Sequence, residues 1–128
     1  MNEIHLHGRV KTAPWRYDGN LYTRISVQRT ADRPGRTPQT GGNYDYVTVQ
    51  FPGGVSQGLD IRPGQFLTVH GWVQSRDVHE SLADFLKRAA RRQEATVPDL
   101  DPALADQLTV HRTMTEVVAD RWQVNNSN

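Results

Sequence analysis

Residues 66–76 read FLTVHGWVQSR. Leu67, Val69, Gly71 and Val73 fall on one face of an extended chain, and Phe66, Thr68, His70, Trp72, Gln74 and Arg76 on the other. Successive side chains of a strand point to opposite faces, so this alternation predicts a half-buried strand. Working upstream, residues 62–65 (RPGQ) form a turn. Residues 44–51 (YDYVTVQF) alternate again, with Val47, Val49 and Phe51 inward and Tyr44, Tyr46, Thr48 and Gln50 outward. Pro52-Gly53-Gly54 ends that strand, and residues 55–61 read as a short, weak helix. Residues 30–43 hold Pro, Gly, Thr and Arg and almost no apolar residue, which predicts a basic loop. Before it, residues 21–29 place Leu21, Thr23, Ile25 and Val27 inward and Tyr22, Arg24, Ser26 and Gln28 outward. Residues 14–20 contain Asp18-Gly19 and read as a hairpin connection. The first strand, residues 3–11, sets Ile4, Leu6, Gly8 and Val10 against His5, His7, Arg9 and Lys11.

Downstream of Arg76 the period changes. Leu82, Phe85, Leu86 and Ala89 recur at helical spacing and predict an amphipathic helix over 80–93. Pro98 and Pro102 break it, and residues 102–108 read as a second short helix. Residues 109–124 return to strand, and 125–128 are a polar, frayed end. Five short strands that each bury one face lose their exposed edges by closing on themselves. The fold class expected is therefore all-β: one domain over 1–124, a five-stranded, partly open barrel. A helical insertion over about 78–108 lies between its fourth and fifth strands. The sequence has no internal repeat.

A chain of 128 residues is long enough for one core. No stretch approaches the roughly 20 apolar residues of a membrane span, and residues 1–10 do not read as a targeting segment. Without cysteine there are no disulfides, thiolate metal sites or cysteine nucleophiles. A cytoplasmic location is expected. The net charge of +1 hides an asymmetry. Residues 1–76 carry nine Arg or Lys against five acids, residues 77–108 four against seven, and the last twenty balance. Eight of the nine bases in the first segment are arginine, whose planar fork suits phosphates and bases.

Five pieces in order resemble the bacterial and phage single-stranded DNA-binding (SSB) protein family. They are Asn2 to Val10 (NEIHLHGRV); Pro14-Trp15-Arg16-Tyr17 with Asp18-Gly19; and Ile25-Ser26-Val27 with the basic loop and Tyr44-Asp45-Tyr46-Val47-Thr48-Val49. The other two are Pro63-Gly64 with Val69-His70-Gly71 and Ser75-Arg76, and Thr115-Glu116-Val117-Val118-Ala119-Asp120-Arg121. The resemblance covers most of residues 1–76 and 113–124. It implies an OB-fold that binds single-stranded DNA without sequence preference in replication, recombination or repair. It also implies a homo-oligomer, a dimer or tetramer. The chain departs from the family where tryptophans are usual, having Arg33 and its neighbours after the second strand and Val78 past the fourth. Pro52 stands where an aromatic is common, with Phe51 one position away. The acidic tail tip through which members recruit partners has no counterpart before Asn128.

Such binding takes a positive groove for phosphates and flat side chains for bases. The stacking candidates are the outward aromatics Tyr22, Tyr44, Tyr46, Phe66 and Trp72, with Tyr46 and Trp72 foremost; each alternatively covers a subunit contact. The phosphate candidates are Arg9, Arg16, Arg24, Arg33, Arg36 and Arg76. Trp15 and Trp122 read as packing residues. Lys87, Arg88, Arg91 and Arg92 lie toward the C-terminal end of the 80–93 helix. They either complement its dipole or form a basic flap over DNA, to which Lys87, Arg88 and Arg91 would contribute. His5 and His7 share a strand face without further ligands, so no metal and no cofactor are expected. Ser56, Ser75 and Ser81 lie in no nucleophile motif, Gly53-Gly54 lacks a following Gly-Lys-Ser/Thr, and no enzyme is expected. The alternative reading is an interaction module similar to primosomal replication protein N, with RNA binding a third class.

Overall fold

The alternating stretches become strands in the computed structural model, which describes residues 1–37, 42–54 and 56–126. The strands are β1 (Ile4–Val10), β2 (Trp15–Tyr17), β3 (Asn20–Gln28), β4 (Tyr44–Phe51), β5 (Phe66–Ser81) and β6 (Thr109–Asn125). Helices α1 (Leu82–Gln93) and α2 (Pro102–Gln107) lie between β5 and β6 in the chain. By contact, residues separate into two compact units, Met1–Gln74 with Thr115–Asn128, and Ser75–Met114.

In the first unit the strand order is β1-β5-β6-β4-β3, and β3 pairs back onto β1. Five strands thus close into a barrel, as the sequence predicts. β4 and β6 pair in parallel, Val49 opposite Val117 and Gln50 opposite Val118. Val10, Leu21, Ile25, Val49, Phe51, Ile61, Leu67, Val69, Val117 and Ala119 fill the interior. Burying each large apolar side chain contributes roughly 1.5–3 kcal/mol. Those from β1, β3, β4 and β5 are the inward positions of the alternation; Val117 and Ala119 come from β6, for which no faces are assigned, and Ile61 from a loop.

At Gly8 and Gly71, as at Gly53, backbones approach too closely for a side chain. A Cβ on Gly8 would lie 2.5 Å from the Ser26 carbonyl oxygen, and one on Gly71 1.9 Å from that of Val118.

The local chemistry departs from expectation in two places. Residues 15–17 are more than a connection, because Trp15, Arg16 and Tyr17 pair with Tyr22, Leu21 and Asn20. Asp18 and Gly19 turn the chain with φ of 49° and 79°, the positive values that a two-residue hairpin turn favours. The weak helix expected over 55–61 is absent from the described part: residues 56–61 form turns, and Val55 lies outside the described residues. Here the chain buries Ser56 and Ile61 instead of winding a helical face.

In the second unit, β5 continues through Ser81, so Glu80 is strand rather than helix. Ser81 is the N-cap of α1 and its hydroxyl accepts from the Asp84 amide at 3.1 Å. Asp101 caps α2 in the same way, accepting from Ala103 N at 3.0 Å, with Pro102 in the first turn. The apolar stripe of α1 is half-buried along Leu82, Phe85, Leu86 and Ala89, and α1 packs on α2.

Candidate nucleic-acid interface

The pairing registers line up outward side chains across four strands. Arg9 of β1 stands opposite Phe66 of β5 on one side and Ser26 of β3 on the other. Ser26 in turn faces Tyr46 of β4. Phe66, Arg9, Ser26 and Tyr46 therefore form one row around the outside of the barrel. A neighbouring row brings Gln28 opposite Tyr44, and His7 opposite Thr68. Between them runs a groove of about 250 Å³ lined by His7, Arg9, Lys11, Gln28, Tyr44 and Phe66, with Gly8 and Ser26 as its floor.

Cations and rings interleave in the groove and beside it. The Arg9 guanidinium carbon lies 5.0 Å from the Phe66 ring centre, and that of Arg24 5.5 Å from the Tyr46 ring centre. Both fall within cation–π range. Tyr46 is 57% exposed and Tyr44 46%. Phe66 is half-buried because His7 stacks on it, centroids 5.4 Å apart and planes 1° from parallel. His7 Nδ1 and Thr68 Oγ1 share a hydrogen bond of 2.9 Å.

Tyr22 is a correction. Alternation points it outward, yet it is only 2% exposed. Trp15 of β2 lies over it, centroids 5.7 Å apart and 13° from parallel, with Tyr17 at 6.4 Å. Its hydroxyl accepts from Gln50 Nε2 at 3.0 Å. A covered ring presents no face to a base. Trp15, 41% exposed, and Tyr17 are instead the aromatic surface at this hairpin. Trp122 packs as expected, edge-on to Phe51 at 5.0 Å.

The remaining expected residues are dispersed. Trp72, 39% exposed, lines a separate hollow of about 240 Å³ with Glu3, His5, His70, Asp120 and Arg121, outside the Tyr44 groove. Arg16 donates from both terminal nitrogens to Ser56 Oγ and O at 3.4 Å, which ties it to Ser56 rather than leaving it free for a phosphate. Arg33 and Arg36 are exposed in the basic loop, Arg33 4.0 Å from Asp32; residues 38–41 of that loop lie outside the described residues. Arg76, Lys87, Arg88 and Arg91 belong to the second unit. Lys87 and Arg91 are exposed, and Arg76 is half-buried. Arg88, expected either to complement the helix dipole or to join a basic flap, pairs with Glu80 and lies 5.7 Å over Phe85. Glu80 also holds Arg112 at 3.7 Å.

Arg29, absent from the expected set, pins the base of the basic loop. Its Nη2 meets Asp45 Oδ1 at 2.6 Å and its Nη1 donates to Gly42 O at 2.9 Å. The hydrogen bonding between Arg29 and Asp45 holds the Asp45 carboxyl below the usual range and raises Arg29 above its own. The acid after the basic loop was visible in the sequence, but nothing there marked its partner.

No protein-family model and no curated protein matches the chain. Among solved structures, a mitochondrial single-stranded DNA-binding protein of S. cerevisiae, Rim1, is similar with a TM-score of 0.55 at 11% identity, over 99% of this chain and 98% of that one. The SSB of Plasmodium falciparum, solved in complex with ssDNA, matches with a TM-score of 0.54 at 14% identity, over 98% and 93%. The N-terminal domain of PriB from Thermoanaerobacter tencongensis, a dimeric structure, has a TM-score of 0.46 at 13% identity, over 96% and 94%. What is shared with the first two at such low identity is the fold, and it agrees with the OB-fold barrel expected from the sequence.

Proposed function

We propose that this chain is an SSB-like protein that coats single-stranded DNA without sequence preference, the strand lying along the Phe66–Arg9–Ser26–Tyr46 row. The row itself carries the reading. It sets two rings, the exposed Tyr46 and the half-buried Phe66, and the Arg9 guanidinium along the outside of a closed barrel. A phosphodiester chain with splayed bases needs both, since stacking contributes about 1–3 kcal/mol per base and phosphates seek cations. Tyr46 and Tyr44 stack on bases, and Arg9, Arg24 and Lys11 hold phosphates. Arg33 and Arg36 reach the strand from the basic loop, while Trp72 offers a further platform beyond the groove. The fold is shared with two single-stranded DNA-binding proteins, one of them solved on ssDNA, which supports the reading.

In this proposal residues 1–124 are one OB-fold domain, with 78–108 as a helical insertion whose Lys87 and Arg91 add positive charge. The protein acts in the cytoplasm as a homo-oligomer, protecting transient single strands in replication, recombination or repair without chemical turnover. Titrating oligo-dT while following Trp and Tyr fluorescence tests it. Saturable quenching that weakens with salt, and weakens about fivefold or more in Tyr46→Ala, is the expected result. Absence of binding at low salt overturns it in favour of a protein-interaction module similar to primosomal replication protein N.

A further inference from the structure

Outside the groove, the second unit presents two histidines across its paired strands. His79 of β5 and His111 of β6 meet with ring centres 4.4 Å apart and planes at 88°. Both are exposed, and neither makes a hydrogen bond among the described residues. Asp77 lies two positions before His79 on the same strand face, and Thr113 donates to its carboxylate at 3.1 Å across the same pair of strands. Together with Arg112 these residues line a hollow of about 220 Å³. The Arg112 charge is offset only in part by Glu80, 3.7 Å away, because Arg88 shares that carboxylate.

The spacing is what bidentate metal binding requires. Imidazole nitrogens sit about 2.0–2.1 Å from a bound zinc ion, which puts two cis imidazole centres roughly 4.5–5 Å apart. We propose that His79 and His111 hold one divalent transition-metal ion, zinc, nickel or copper, between β5 and β6. Among the described residues no third His, Asp or Glu completes the group. Water fills the other positions, with the Asp77 carboxylate adding a favourable field. Imidazole suits these metals better than it suits magnesium or calcium.

The other histidines lack this chemistry. His5 and His70 stand closer, at 3.9 Å, but Arg121 brings a guanidinium nitrogen to 3.4 Å from His70 Nδ1. A cation beside the pair opposes a second one. His7 is already committed to Thr68 and Phe66.

Calorimetric titration of the full chain with zinc or nickel chloride decides the matter, alongside thermal unfolding with and without metal. One ion per chain at micromolar affinity is expected, with a metal-dependent rise in Tm. His79→Ala and His111→Ala each weaken binding about tenfold or more, and a His5→Ala/His70→Ala pair leaves it unchanged. Because both ligands are exposed, the metal-free variants keep the parent Tm. Undiminished binding in the His79→Ala/His111→Ala protein, or no binding by the parent, overturns the proposal. Neither outcome bears on oligo-dT binding.

Discussion

A methyl group on Gly71 would lie 1.9 Å from the Val118 carbonyl oxygen and 2.9 Å from its carbon, both backbone atoms. No rotamer relieves such a contact, so β5 and β6 must separate to admit it. Gly71→Ala is expected to lower stability by about 1–3 kcal/mol or more, read as a lower urea midpoint. Gly54, with open space around its Cβ position, serves as the control that stays within about 0.5 kcal/mol when changed to Ala. Single residues also mark how far the sequence could be read. Alternation placed Ile25, Val49, Leu67 and Val69 in the core, where they lie fully buried. The same rule placed Tyr22 on the outer face, and it does point away from the core cluster. What alternation does not encode is what covers that face: Trp15 reaches it from a strand of three residues, too short for any period to register.

The hairpin formed by β3 and β4 is held at its open end by one ion pair. Arg29 joins Asp45 and Gly42, which holds the two ends of the basic loop together. Because folding lowers the Asp45 pKa, the pair adds stability that is complete above the ordinary carboxylate range, about 3.9. That stability is lost as pH falls through the lower folded value. Asp45→Asn is therefore expected to be less stable than the parent at neutral pH, with the gap closing in acid. Urea unfolding at several pH values measures it; a gap independent of pH would assign the effect to something other than the charge. Elements were legible where they were long and periodic. α1 began two residues later than expected because Glu80 stays in the strand and Ser81 supplies the cap. The groove was less legible, since Arg9 meets Phe66 and Ser26 only through registers between separate strands.

Across the molecule, charge is concentrated where the row lies: nine bases against five acids over residues 1–76. In the proposed function each phosphate contact adds about 0.7 to the slope of log affinity against log salt for a single strand. Arg9→Ala and Arg24→Ala are each expected to reduce the slope by about that amount. Arg88→Ala leaves it unaltered, since that side chain is engaged by Glu80 and lies over Phe85. Equal effects from all three would place the strand elsewhere. The barrel was readable as a whole because five alternating strands need closure. The bounds of the two units were not, because β5 and β6 each supply residues to both.

The parallel meeting of Val49 with Val117 sets an order of events during synthesis. β6 leaves the ribosome after every other described strand, and only then does β4 gain its second neighbour. Until that moment the nascent β1–β3–β4 sheet carries an unpaired edge, the kind that recruits strands from other chains. Contacts so distant along the chain also make the final step slow. The finished protein owes its lack of open barrel edges to its last strand, and the unfinished one is most vulnerable while it waits for it.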